Sequence, residues 1–174
     1  MLICFSHLRW DFVWQRPQHL LSRFARHMPV ILVEEPEFVL AGNRCDLRIA
    51  VDHDVLVLTP LFPAEAAVPP GFNARTNPAI RAMLTPLCAD LAGPGGSATP
   101  QILWYYTPMA LGAEPANLDS AFVVFDAMDE LAAFRGAPAA LREREAALLA
   151  RADLVFAGGP SLYEARKDRH PAVF

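Results

Sequence analysis

Cysteine is scarce in this chain: three in 174 residues, Cys4, Cys45 and Cys88, an odd number in no metal-ligand spacing. That excludes a disulfide framework and a structural zinc site, and predicts free thiols in a reducing, cytoplasmic compartment. An excess of positive charge is missing too. The formal charge is −4, which argues against nucleic acid as a partner, because that binding rests on a basic footprint. No run of basic residues marks an anionic membrane surface. No stretch approaches the roughly 18 apolar residues of a membrane span, and Pro60, Pro63, Pro69 and Pro70 break the longest apolar stretches. Met1 leads into a short apolar segment that meets Ser6, His7 and Arg9, so no signal peptide is predicted. Glycine-rich phosphate loops are absent: there is no Gly-x-Gly-x-x-Gly after a strand and no P-loop. A nicotinamide fingerprint is thereby excluded.

What is present is an ordinary globular composition, 53% apolar and 20% charged, in a chain long enough for one core. Short apolar runs alternate with helical patterns, the mark of an α/β fold with a mostly parallel sheet. Strands are predicted at 2–5, 30–33, 47–51, 55–58, 102–106, 121–125 and 154–157. His53-Asp54 joins the third and fourth as a hairpin. Helices are predicted over 17–28, from the Asn77-Pro78 start to about Leu91, over 138–151, and from a Ser161/Glu164 capping box to about Arg169. The stretches near 63–71 and 93–99 read as loops, so the whole chain, 1–174, is one Rossmann-like domain with helices on both sheet faces.

In open parallel sheets, ligands bind beyond the carboxyl ends of the strands. Polar or glycine pairs follow one predicted strand after another: Ser6-His7, Glu34-Glu35, Thr59-Pro60, Thr107-Pro108, Asp126 and Gly158-Gly159. Their joint placement predicts a single crevice. The segment SHLRWDFVWQRPQHL is the most unusual. Arg16 stands where a helix begins, and a cation there opposes the helix dipole by roughly 0.3–1 kcal/mol. Either an ion pair with Asp11 or a bound phosphate would offset it. Trp10, Phe12 and Trp14 read either as core anchors or as a platform for a sugar or an apolar acceptor. In FDAMDELAAF, Asp126, Asp129 and Glu130 lie close enough to push their pKa values apart, as general bases require. The alternative is that Asp129 and Glu130 serve the positive end of a short helix. His7 reads as a base, a hydrogen-bond donor or a structural side chain. Gly158 and Gly159 allow either close ligand approach or a tight strand–helix turn.

Two stretches, SHLRWDFVWQRPQHLLSRFAR and FDAMDELAAFRGAP…LREREAALLARADLVFAGGPSLYEARKDRHP, resemble bacterial glycosyltransferases of the GT-B fold, in the broad family 1/family 4 group. The resemblance covers about half the chain, and 36–100 resembles nothing in particular. It implies an N-terminal, acceptor-side domain facing a second domain that holds a nucleotide-sugar donor, with no tightly bound cofactor and no metal on an Asp-x-Asp motif. The acceptor would be a cell-surface polysaccharide or glycolipid, the setting cytoplasmic and open to a peripheral place at the inner membrane face. His7, Asp126 and Asp129 would be catalytic, and Trp10, Trp14, Gln15, Arg16, Gly158 and Gly159 would bind substrate. Many relatives carry a histidine near Asp126 and this chain has none there, which leaves the base unassigned. The second domain is expected beyond this chain, so the domain alone should be inactive and expose an apolar docking face able to drive homodimerisation. Two rival readings are a non-catalytic binding module and a metal-assisted hydrolase built on His7, Asp11, Asp126 and Asp129.

Overall fold

Leu2–Ser6 (β1) is buried at every position, as a central strand covered on both faces must be. The computed structural model describes residues 1–40, 44–64, 69–93, 101–116, 118 and 121–174. After β1 come α1 (Arg16–Phe24), β2 (Val30–Glu34), β3 (Glu37–Val39), β4 (Asp46–Asp52), β5 (Val55–Pro63) and α2 (Thr76–Ala92). Then follow β6 (Ile102–Tyr105), β7 (Phe122–Ala127), α3 (Leu141–Arg151), β8 (Leu154–Ala157) and α4 (Pro160–Glu164).

The sheet order is β3-β5-β2-β1-β6-β7-β8, with β4 antiparallel on the outside of β5 and every other pairing parallel. Numbered among themselves, the six main parallel strands run 3-2-1-4-5-6, the Rossmann order. The chain therefore folds as an α/β, doubly wound, mostly parallel sheet. Its order reverses between β1 and β6, so a crevice is expected where their carboxyl ends diverge.

Both faces are packed. On one, Ile3, Phe5, Tyr105, Phe125 and Val155 meet Ile80, Leu84 and Cys88 of α2 and Leu141, Leu148 and Leu149 of α3. On the other, Cys4, Leu32, Trp104, Tyr106 and Val124 meet Trp10 and Leu21. Leu21 is fully buried, and its burial contributes about 1.5–3 kcal/mol.

Several local expectations need correcting. α1 closes at Phe24, and looser turns carry the spiral to Met28 through bonds such as Met28 N–H to Phe24 O at 3.0 Å. α2 is not capped by Asn77; the Asn73 carboxamide oxygen accepts from Arg75 N at 2.9 Å and Thr76 N at 3.1 Å. Asn77 instead donates to the Met109 and Leu111 carbonyls, both at 2.8 Å. The Ser161/Glu164 capping box does not form, because Gly159-Pro160 opens α4 two residues earlier and Glu164 pairs with Lys167. Among the strands of the described residues, β3 was the one unforeseen. The hairpin at His53-Asp54 is a two-residue turn with both φ values positive, 49° and 61°, the twist that matches antiparallel strands. Most of the loops near 63–71 and 93–99 falls outside the described residues.

Candidate functional site

Arg16 opens α1 at the carboxyl end of the sheet, and Pro17 behind it fixes the first helical turn. Gln15 stands at the N-cap position, where its backbone N–H donates to the Gln18 side chain at 3.0 Å. The carboxylate that answers the dipole conflict at Arg16 is not Asp11. The Arg16 Nε lies 3.1 Å from Asp126 Oδ2 on β7. The guanidinium carbon also stands 6.0 Å from the centre of the Phe156 ring, within cation–π range.

Asp126 is fully buried and lies one residue inside β7. Burial pushes its pKa up to about 6, while Arg16, the Tyr106 hydroxyl and the Trp104 indole pull it back down. Its two oxygens, the Tyr106 hydroxyl and Trp104 Nε1 all lack a well-formed hydrogen bond. The contacts are close but poorly aligned, a costly state for buried polar groups. Neither oxygen reaches solvent, whereas the side chain of Arg16 paired with it is 34% exposed.

The raised pKa has a stability consequence. Between the unfolded value of 3.8 and about 6 the native state holds more protons than the unfolded chain, so stability falls as pH rises through this window. The loss is on the order of 2–3 kcal/mol, complete above the folded pKa. Asp126→Asn should therefore raise stability relative to the parent at pH 8 and by little at pH 4, read as the difference between two pH series of urea melts. A parallel pair of curves would contradict the shift.

His7 follows β1 and is half-buried. Burial lowers its pKa, while the nearby Asp129 carboxylate and the Tyr106 backbone carbonyl raise it. Asp129 and Tyr106 also line a narrow cleft with Pro108, Leu131, Glu145 and Arg166, with room for about one water. Its floor holds an ion cluster that no local sequence pattern announced. Arg166, 2% exposed, meets Glu145 Oε1 at 2.6 Å and Glu130 Oε2 at 3.0 Å.

The remaining predicted residues separate. Trp10 is a buried anchor: its indole donates to Asp52 Oδ2 at 2.8 Å, and its backbone N–H to Glu34 at 2.6 Å. This corrects the reading of Trp10 as a sugar platform. Glu34, also buried, takes the Thr59 hydroxyl at 2.7 Å and Arg9 at 3.1 Å. It ties the first loop to the sheet, and Thr59 lies inside β5 rather than after it. Trp14 is exposed. Gly158 is required by packing: a Cβ there would sit 2.7 Å from the Met128 carbonyl oxygen. Gly159 has open space around it. Among the described residues no three His, Cys, Asp or Glu side chains gather in metal-ligand geometry, so His7, Asp11, Asp126 and Asp129 do not make the set a metal-assisted hydrolase needs. No helix is long and apolar enough to cross a membrane among those residues.

The structure thus joins Arg16 to Asp126 and brings His7 near Asp129, at the carboxyl ends of β1, β6 and β7; Asp129 lines the cleft, and His7, Arg16 and Asp126 do not. No protein-family model matches the chain, and no curated protein does.

Proposed function

We propose that this domain is the acceptor side of a two-domain GT-B glycosyltransferase, binding a carbohydrate or glycolipid whose hydroxyl receives a sugar from a nucleotide-sugar held by the second domain. One observation carries the reading. Arg16 and Asp126, more than a hundred positions apart, meet 3.1 Å from each other toward the carboxyl end of the sheet. The two segments that resemble glycosyltransferases are the ones that supply these residues.

In this reading His7 is the catalytic base. Burial lowers its pKa, so the neutral ring is available near pH 7 to take the acceptor's hydroxyl proton. Asp129 stabilises the imidazolium that forms. Arg16 gives Asp126 its Nε, and its outer nitrogens suit donor phosphate. Asp126 is a positioning residue for Arg16. The cleft carboxylates suit sugar hydroxyls, which donate to them. A cytoplasmic setting is implied, and the buried thiols of Cys4 and Cys88, in no disulfide, agree with it.

Saturation-transfer NMR on the purified chain tests this. A panel of short alkyl glycosides should include binders that receive saturation at their ring protons, while UDP-glucose and GDP-mannose receive little. Nucleotide-sugar binding with no glycoside binding would sink the assignment to the acceptor side.

A further inference from the structure

The sequence has no basic run, yet the fold assembles a basic stripe. His19, Arg23 and Arg26 are all exposed on α1 and the turn after it. Spacings of four and three residues put them on one helix face. No acidic residue occurs from Phe12 to Val33, in a chain whose net charge is −4. At its start the stripe touches an apolar tip: the Trp14 ring lies 5.4 Å from that of His19. Phe12, Val13 and Trp14 are 75%, 53% and 46% exposed. Three consecutive large apolar side chains in water mark a surface that takes a partner.

The tip is held out, not loose. On one side Trp10 is buried and bonded to Glu34 and Asp52. On the other, the Gln18 side chain donates to the Trp10 carbonyl at 3.0 Å and accepts from Gln15 N–H at 3.0 Å. The Trp14 ring also packs edge-on to His53 at 4.9 Å.

We propose that this face docks on an anionic lipid bilayer, with Phe12, Val13 and Trp14 entering the headgroup–acyl boundary and Arg23 and Arg26 resting on lipid phosphates. Apolar insertion and basic attraction are the two signals that together give stable peripheral binding, and tryptophan suits the interface. A sugar platform fits this tip less well, because Phe12 and Val13 bring no hydrogen-bonding side chain for a ring of hydroxyls. Asp11, Asp52 and Asp54 stand near the tip and oppose an anionic surface. Asp52 is partly balanced by Trp10 Nε1 and by His53 Nδ1 at 2.9 Å. The opposing charges predict reversible, salt-sensitive binding. The inference stands without glycosyl transfer, and a membrane-borne acceptor would bring the two together.

Co-sedimentation of the purified chain with vesicles decides it. The chain should pellet with vesicles of equal parts phosphatidylcholine and phosphatidylglycerol at low salt, stay in solution with phosphatidylcholine alone, and be released by high salt. Phe12→Ser with Trp14→Ser, and separately Arg23→Glu with Arg26→Glu, should each weaken binding about tenfold or more. On the unaltered chain, brominated acyl chains should quench the exposed Trp14, since Trp10 and Trp104 are each only 7% exposed. No pelleting with the mixed vesicles, binding indifferent to both variant pairs, or no quenching would overturn the proposal. So would a concentration-dependent dimer that is lost on Trp14→Ser without vesicle binding, which would assign the tip to a second copy.

Discussion

Replacing Arg166 with methionine should lower the stability of the domain by about 3–5 kcal/mol, the cost of leaving a buried charge without its partner. Arg166 is 2% exposed and reaches both Glu145 and Glu130, and the Glu145 side chain is itself only 10% exposed. With Arg166 gone, Arg169 at 3.8 Å is the remaining cation near Glu145, too distant for a hydrogen bond. In a domain of this size the melting temperature should fall by roughly 10 °C. Arg166→Lys should not rescue it fully, because a point charge lacks the planar fork that spans two carboxylates. The cluster is not an optimal pair: Arg166 Nε and Glu145 Oε1 lack well-formed hydrogen bonds. Arg166→Met combined with Glu145→Leu should therefore recover much of the loss, since a buried pair exchanged for apolar groups is often neutral. Urea melts of the three variants check this. A single-variant loss under about 1 kcal/mol, the level of an exposed pair, would contradict the burial of Arg166.

Under the proposed glycosyltransferase role, His7→Ala should reduce sugar transfer by a two-domain protein carrying this domain by about 10²–10⁴, the usual contribution of a positioned base. The loss should fall on kcat, with KM for the acceptor nearly unchanged. The pH profile gives a sharper readout than the magnitude. Transfer should rise with pH as His7 loses its proton, with a midpoint below the ordinary 6.5 because burial lowers the pKa. Asp129 acts the other way and raises it. Asp129→Asn should therefore shift the limb to still lower pH, and a merely structural role for Asp129 would leave the limb in place. An upward shift would reverse the assigned sign.

Much of the fold could be read from short-range pattern. The central strands announce themselves as apolar runs, and β1, β2 and the inner part of β7 are buried as such runs predict. The His53-Asp54 turn marked the hairpin. β3 escaped because three half-buried residues behind Pro36 make no periodic signal, and they become a strand only through pairing with Leu61–Pro63. The site was half-legible for a related reason. A cation at a helix start states that it needs a partner, but which carboxylate answers depends on strand order. The nearby Asp11 was a natural candidate, and the partner is Asp126 across β1 and β6. In the same way, alternation could not say that Trp10 would be the anchor and Trp14 the exposed ring, because Asp52 on the hairpin selects between them. Arg166 had no signal at all: its two carboxylates come from before and within α3, and no spacing joins them.

The proposed acceptor role is tested most directly by mapping amide shifts of the ¹⁵N-labelled chain during titration with an alkyl glycoside that binds. The account predicts saturable shifts confined to the loop after β1, through Arg16, and to the segment from Asp126 to Leu131. Shifts that cluster instead on β4 or on the outer face of α2, with His7, Arg16 and Asp129 unmoved, would contradict it.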